Sequence, residues 1–323
     1  MKFYPLTFGP IFKQTIWGGE KLKGEFNKNS PLSRIGESWE ISCVPGNISV
    51  INNGDWAGRP LTDVLAEHGA EILGKKVFEA SGASLPLLFK FIDARDDLSI
   101  QVHPDDELAR ARHKSFGKTE MWYVLSAEKG ARLLSGFKDS VTKAEYPALV
   151  QSGKILDVLA SAEVKAGDVF FIPSGRVHAI GAGIVLAEVQ QTSDVTYRIF
   201  DYHRKGPDGK ERQLHTAEAL DAINFSVEKD YKTHYVPREN AAVNIAKCKF
   251  FTVNLLEVKG NASRSLRRHG SFAVYMCADG KAELHCAGTE IKLKKGDSVL
   301  IPAAITHDVI FSSEKAKLLE VYI

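Results

Sequence analysis

The sequence predicts a mainly β protein built from two jelly-roll barrels with a few short helices. Three observations lead there. Short runs rich in Val, Ile, Phe and Tyr are broken by Gly, Pro and Lys throughout. One block of such runs recurs later in the chain. Residues 99 to 123 set polar side chains at strand spacing inside apolar sequence, with Gln101 and His103 sharing one strand face and Lys118 and Glu120 sharing another. An amide, an imidazole, an ammonium and a carboxylate gathered on one face are costly inside a sheet unless they satisfy each other, water or a metal. That stretch therefore reads as a site.

At 323 residues the chain is long enough for two cores. Its 44% hydrophobic and 25% charged residues place it among ordinary globular proteins and exclude a disordered one. The 42 Lys and Arg against 40 Asp and Glu are scattered, apart from Arg264, Arg267 and Arg268, so a nucleic-acid footprint is not expected. Those three arginines read as a solvated loop. No signal-peptide run opens the sequence, and the longest apolar run, Ala179 to Ala187, is interrupted by glycines, so no membrane association is expected. Cys43, Cys248, Cys277 and Cys286 lack C-x-x-C spacing and read as reduced thiols of a cytoplasmic protein, although Cys277 and Cys286 could meet across a hairpin.

Taken in order, residues 36 to 42 alternate as a half-buried strand, with Trp39 and Ile41 on one face and Glu40 and Ser42 on the other. Leu61, Val64, Leu65 and Ile72 follow helical spacing over 61 to 73, with Thr62 or Asp63 as cap. Residues 86 to 94 read as a buried strand ending in the charged turn Arg95-Asp96-Asp97. Asp105 to Lys114 is alanine-rich, charged and helix-compatible, an excursion able to cover one end of a barrel. Strands follow at 121 to 125, 131 to 134 and 164 to 173, with a helical pair over 140 to 161. Lys205 to Lys210 is a turn-rich loop, and Thr216 caps a helix reaching Ile223. The polar stretch 231 to 242 connects two domains, 1 to 238 and 239 to 323.

The repeat supports that division. Met121 to Leu125, Val164-Lys165-Ala166-Gly167-Asp168, Ile172-Pro173, His178 and Leu186 to Val189 recur as Phe272 to Met276, Leu293-Lys294-Lys295-Gly296-Asp297, Ile301-Pro302, His307 and Leu319-Glu320-Val321. In the first copy, Gly167-x5-Pro173-x-Gly175-x2-His178 resembles the second motif of the cupin superfamily, in which two tight turns deliver a histidine to the barrel interior. In the second copy Ala304 replaces the motif glycine and Ser271 falls opposite Glu120, so the second domain is expected to be metal-free. His307 then reads as a structural histidine. Cupin-like folding would bring Gln101, His103, Glu120 and His178 around one interior, an N/O ligand set suited to zinc.

The chain also resembles a specific family over essentially its whole length: the type I mannose-6-phosphate isomerases, in their short bacterial form. The resemblance rests on Leu98-Ser99-Ile100-Gln101-Val102-His103-Pro104, Gly117-Lys118-Thr119-Glu120-Met121-Trp122-Tyr123, Ile172 to Ile180, and Glu188 through Tyr197 to Tyr202. It implies one zinc per chain on Gln101, His103, Glu120 and His178, and a catalytic role for Arg198. It implies substrate phosphate contacts at Ser99 and Lys90 and a polar group beside the metal at Lys118. Arg204 stands about where the longer eukaryotic enzymes carry a phosphate-binding lysine, and the large helical insertion of those enzymes is missing. The activity implied is interconversion of mannose 6-phosphate and fructose 6-phosphate through an enediol.

That chemistry needs a base near neutrality within reach of C1 and C2. Glu188, Lys118, Asp201 and a metal-bound hydroxide are candidates, with Glu188 favoured; the alternative reading of Glu188 is a strand carboxylate paired with Arg198. Arg198, always charged, suits the oxygen on which negative charge builds. Trp17 and Trp39 read as packing or site walls. Two rivals stand beside the isomerase: a non-catalytic metal cupin binding a sugar phosphate, which would need neither Arg198 nor a base, and a cupin oxygenase, which Gln101 and Glu120 disfavour.

Overall fold

The run Leu87–Ala94 has no polar residue until Lys90 and Asp93, and it forms a strand buried on both faces. Such a strand belongs in the middle of a layered structure. The computed structural model describes residues 2–26, 28–206, 208–267 and 269–323. It is mainly β, with 42% strand and 17% helix. Leu87–Ala94 lies inside an antiparallel sheet of seven strands, in the order Lys232–Thr233, Val169–Ile172, Glu120–Ala127, Ile184–Gln191, Leu87–Ala94, Glu37–Ile41 and Ile11–Lys13. A five-stranded sheet carries Leu159–Glu163, Arg132–Phe137, His178–Ile180, Ile100–Val102 and Tyr197–Phe200 in that order. The C-terminal sheet runs Ala242–Lys247, Thr252–Arg264, Val309–Tyr322, Ala273–Cys286 and Thr289–Lys294, with Ser298–Ile301 paired beside Ala273–Cys286. The strand pairing traces open sheets and not closed barrels.

Several local expectations change in the structure. The strand Glu37–Ile41 is buried on both faces: a bulge between Trp39 and Ile41 sends their side chains into different clusters, and the polar face is covered by Lys28, which pairs with Glu40. The helix Leu61–Leu73 begins after Pro60 with no side-chain cap, and Thr62 and Asp63 lie within its first turn. His215, not Thr216, precedes the helix Thr216–Ala222. The helix Asp106–His113 is capped as its sequence suggests, Asp105 accepting from the Leu108 N–H at 2.9 Å. Cys277 and Cys286 lie along the same strand and all four cysteines are free, so no hairpin brings that pair together. His307 is exposed, and Arg264 is no solvated residue: it grips the buried Glu320 with two nitrogens at 2.8 and 2.7 Å. Arg267 is exposed and Arg268 lies outside the described residues.

The main core is shared between the two halves of the chain. Leu6, Phe26, Phe89 and Met121 pack in one cluster with Val253, Phe272, Leu300 and Leu319. The N-terminal segment joins the C-terminal sheet through the Leu6 and Leu300 backbones, and Lys28 reaches across to Glu40 at 2.8 Å and to the Gly296 carbonyl.

Candidate metal centre and active site

Residues directly opposite each other on antiparallel strands point to the same face, and two such rows build the site. On the seven-stranded sheet, Trp39 faces Lys90, Lys90 faces Glu188, and Glu188 faces Trp122. On the five-stranded sheet, His178 faces Gln101 and Gln101 faces Arg198. Glu120 opens its strand, and His103 and Lys118 sit just outside strand ends, where the chain turns and the side chains aim inward. Gly175, with φ of +86°, makes the turn that delivers His178; a Cβ there would meet the Ala222 carbonyl oxygen at 2.9 Å.

His103, Glu120 and His178 are fully buried, and their metal-binding atoms all lie within 4.8 Å of one another. His103 Nδ1 is 2.9 Å from the Val195 carbonyl and His178 Nδ1 is 2.8 Å from the Arg176 carbonyl. A carbonyl only accepts, so each Nδ1 carries the proton and each Nε2 presents a lone pair inward. Among the described residues, His178 Nε2 and Glu120 Oε1, 3.4 Å apart, have no hydrogen-bond donor, an orphaned pair in a buried place. The Lys118 ammonium contacts the Glu120 carboxylate and lies 3.0 Å from His103 Nε2, holding positive charge where these acceptors converge. The donor set therefore fits a divalent cation.

The electrostatics agree. Burial first, then Lys118, keeps His103 well below the ordinary imidazole range and pushes His178 down to about 3. Both rings are thus neutral, the state a metal binds. Burial and then the Glu188 charge raise Glu120 in the absence of a cation. Burial acts in the same direction on Glu188, but Lys118, Lys90 and the Trp122 N–H outweigh it and hold Glu188 below the usual carboxylate range.

Lys118, which contacts His103 and Glu120, and Gln101, which faces His178, connect the centre to a cavity of about 860 Å³, a size suited to a small ligand; the three buried groups themselves lie behind its wall. Ser99, Gln101, Lys118, Lys90, Glu188 and Arg198 all line it. Glu188 accepts from Trp122 Nε1 at 2.9 Å and sits 3.2 Å from Lys90 Nζ, so its ion-pair partner is Lys90 and not Arg198. Lys90 is also 3.4 Å from Glu37 and lies over the Trp39 ring, while Trp39 Nε1 donates to Glu37 at 2.6 Å. Burial opposes the Lys90 charge, but Glu37, Glu188 and Glu120 raise its pKa regardless. Trp17 and Trp39 form part of the wall.

Asp201 and Arg204 are not among the lining residues. Asp201 accepts from Arg204 Nη2 at 2.5 Å and from Arg212 Nε and Nη2 at 2.6 Å each. Burial would raise its carboxyl, but both arginines keep it below its ordinary value, and this engagement leaves it poorly placed as a base. Tyr202 and His203, with φ of 55° and 53°, turn the chain so that these groups meet; left-handed conformations cost about 1–2 kcal/mol per non-glycine residue.

Glu37 and Arg212 also border the cavity, and sequence reasoning passed over both. Glu37 had a signal: it stands two residues before Trp39 on an inward strand face. Arg212 had none, because only the loop's path brings it to the cavity.

Comparison with known proteins agrees with the geometry. Residues 6–132 match the family described as phosphomannose isomerase type I, catalytic domain, and residues 242–322 match mannose-6-phosphate isomerase, cupin domain. The chain is 36% identical over 301 residues to mannose-6-phosphate isomerase ManA of Bacillus subtilis (strain 168), covering 92% of this chain and 93% of that protein. It is 34% identical over 303 residues to mannose-6-phosphate isomerase of Streptococcus mutans serotype c, covering 92% and 93%. The crystal structure of mannose 6-phosphate isomerase from Bacillus subtilis superimposes with a TM-score of 0.90 at 31% identity, covering 99% of this chain and all of that one. With that identity over nearly its full length, and with a buried two-histidine, one-carboxylate centre behind the cavity wall, the chain belongs to the type I phosphomannose isomerase family.

Proposed function

We infer that the protein is a metal-dependent aldose–ketose isomerase that interconverts mannose 6-phosphate and fructose 6-phosphate through an enediol. The observation that carries this is the orphaned pair His178 Nε2 and Glu120 Oε1, clustered with His103 behind a cavity that is lined by Gln101, Lys118, Glu188 and Arg198. We assign His103, Glu120, His178 and Gln101 to one zinc, for which this N/O set is suited. Bound there, zinc supplies a Lewis acid that polarises a substrate oxygen, worth several kcal/mol.

The chain's own groups supply the rest. Glu188 moves the proton between C2 and C1, oriented by the Trp122 N–H and by Lys90. Lys90, pinned between two carboxylates, is assigned to holding Glu188 and not to the substrate phosphate. Arg198 places permanent charge near the oxygen that becomes negative. Lys118 is a polar group beside the metal, and Ser99 offers a hydroxyl on the cavity wall. Ile92, Leu98 and Ile180 keep part of that wall dry.

We also propose the finer architecture as two cupin-like jelly rolls, a metal-binding catalytic unit at 1–238 and a metal-free unit at 239–323. Its support is the second copy's Glu320, which corresponds to Glu188 and has its charge taken by Arg264, Tyr275 and Asn254. Four free cysteines suit a reducing cytoplasm.

The test is isomerisation of mannose 6-phosphate by the purified protein as isolated, after chelation, and after zinc is restored. Activity is expected to vanish with the metal and return with it, and His178→Ala is expected to lose metal and activity together. A folded, fully metallated protein that does not isomerise the sugar would favour a non-catalytic sugar-phosphate binder.

A further inference from the structure

Three guanidiniums, Arg198, Arg204 and Arg212, meet beside the cavity, and among the described residues one carboxylate, Asp201, bonds two of them directly. Asp201 takes two of the five donors of Arg212 and one of Arg204. Arg198 stands on the adjoining strand, its Nη1 donating to the carbonyl of Gln213, the residue beside Arg212. Arg198 Nε is buried with no acceptor among the described residues. Two other acids of this loop, Asp208 and Glu211, line the cavity beside Lys210 without bonding the arginines: Asp208 accepts from the Lys210 N–H at 3.1 Å, and Glu211 lies 3.3 Å from His203. Arg198 and Arg212 both line the cavity, whereas Arg204 spends its Nη1 on the Asp97 carbonyl and lies over the Tyr202 ring outside it. The excess of guanidinium charge matches a phosphate monoester, which carries about −1.5 to −2 near neutrality.

Resting on the isomerase reading above, we infer that Arg212, presented by Asp201, binds the substrate's phosphate group, that Arg198 is left to the reacting oxygen, and that Arg204 does not contact the phosphate. The fixed guanidinium of Arg212, with donors remaining after Asp201 is satisfied, offers the planar recognition that phosphate oxygens favour. Phosphate anchored there sets the sugar across the cavity, with its carbon chain running toward Glu188 and the metal centre.

The experiment uses zinc-loaded full-length protein and two readouts: steady-state kinetics with mannose 6-phosphate, and calorimetric titration with inorganic phosphate, which needs no turnover. Arg212→Gln is expected to raise KM by about tenfold to a hundredfold, the loss of one hydrogen bond to a charged group, with kcat little changed. It is also expected to abolish phosphate binding. Arg212→Lys, which keeps the charge without the fork, is expected to recover part of both. Arg204→Gln is expected to leave the phosphate affinity within about threefold of the wild type, a difference well under one charged hydrogen bond. Wild-type KM and phosphate affinity in a folded Arg212→Gln protein would overturn the inference, as would an equal loss in Arg204→Gln. Failure of the isomerase reading is distinguishable, because the wild type itself would then not turn over mannose 6-phosphate.

Discussion

Glu188 is held by a cross-strand neighbour on each side, Lys90 through an ion pair and Trp122 through a hydrogen bond to its carboxylate. This arrangement keeps the group ionised despite full burial and fixes it on the cavity wall, positioned for a proton passing between adjacent carbons; the same partners hold its pKa below the near-neutral range that best suits a base, which lowers its proton affinity. Glu188→Gln keeps the shape and removes the base. It is expected to lower kcat on the order of 10²–10⁴-fold while bound zinc, measured by elemental analysis, stays at one per chain. Loss of metal in that variant would instead place Glu188 among the ligands. Several of these residues were legible in the sequence: His103, Glu120 and His178 converge behind the cavity wall, Gln101 faces His178 and lines the cavity, and their spacing and turn glycine carry that information. The Lys90 partnership was not legible, because it depends on which strands become neighbours.

The internal repeat can be followed strand by strand. Glu320 faces Asn254 on one side and Tyr275 on the other, as Glu188 faces Lys90 and Trp122. The second copy therefore retains the buried carboxylate and satisfies it from within, through Arg264, Asn254 and Tyr275. Burial works to raise the Glu320 pKa, but these partners, Arg264 foremost, hold it below its ordinary value of 4.5. A carboxyl depressed in the folded state stabilises fully above its unfolded pKa and loses that stabilisation as pH falls through the lower, folded value. Urea unfolding is thus expected to show stability from this pair at neutral pH that declines below about pH 4.5. Arg264→Met is expected to cost about 3 kcal/mol at pH 7, the lower end for breaking a buried pair, because Arg264 keeps 24% of its side chain exposed. Unchanged stability at neutral pH would show that Asn254 and Tyr275 suffice. Repetition was legible in the sequence at this scale. The change from working site to sealed network was not, since Arg264 meets Glu320 only through the pairing of two long strands.

Across the whole molecule, the core ignores the boundary that the repeat suggests. Leu6 and Phe26 pack with Phe272 and Leu319, and the buried Lys28 reaches the Gly296 carbonyl. A fragment of residues 1–238 would expose that shared apolar surface and leave Lys28 and Glu40 bordering solvent. It is expected to be aggregation-prone or partly unfolded by circular dichroism, whereas the full chain unfolds in one cooperative transition. A soluble 1–238 fragment with native-like unfolding and bound zinc would show instead that the first unit is independent. The sequence by itself determined the strand-rich class, the repeat, the metal-type ligand set and the kinship, because each is written in short-range spacing and residue chemistry. Only the tertiary structure decided that Lys90 serves Glu188, that Arg212 and not Arg204 borders the cavity, that Arg264 seals Glu320, and that one core spans both halves. Those outcomes depend on which distant segments come into contact, and local spacing along the chain leaves such contacts undetermined.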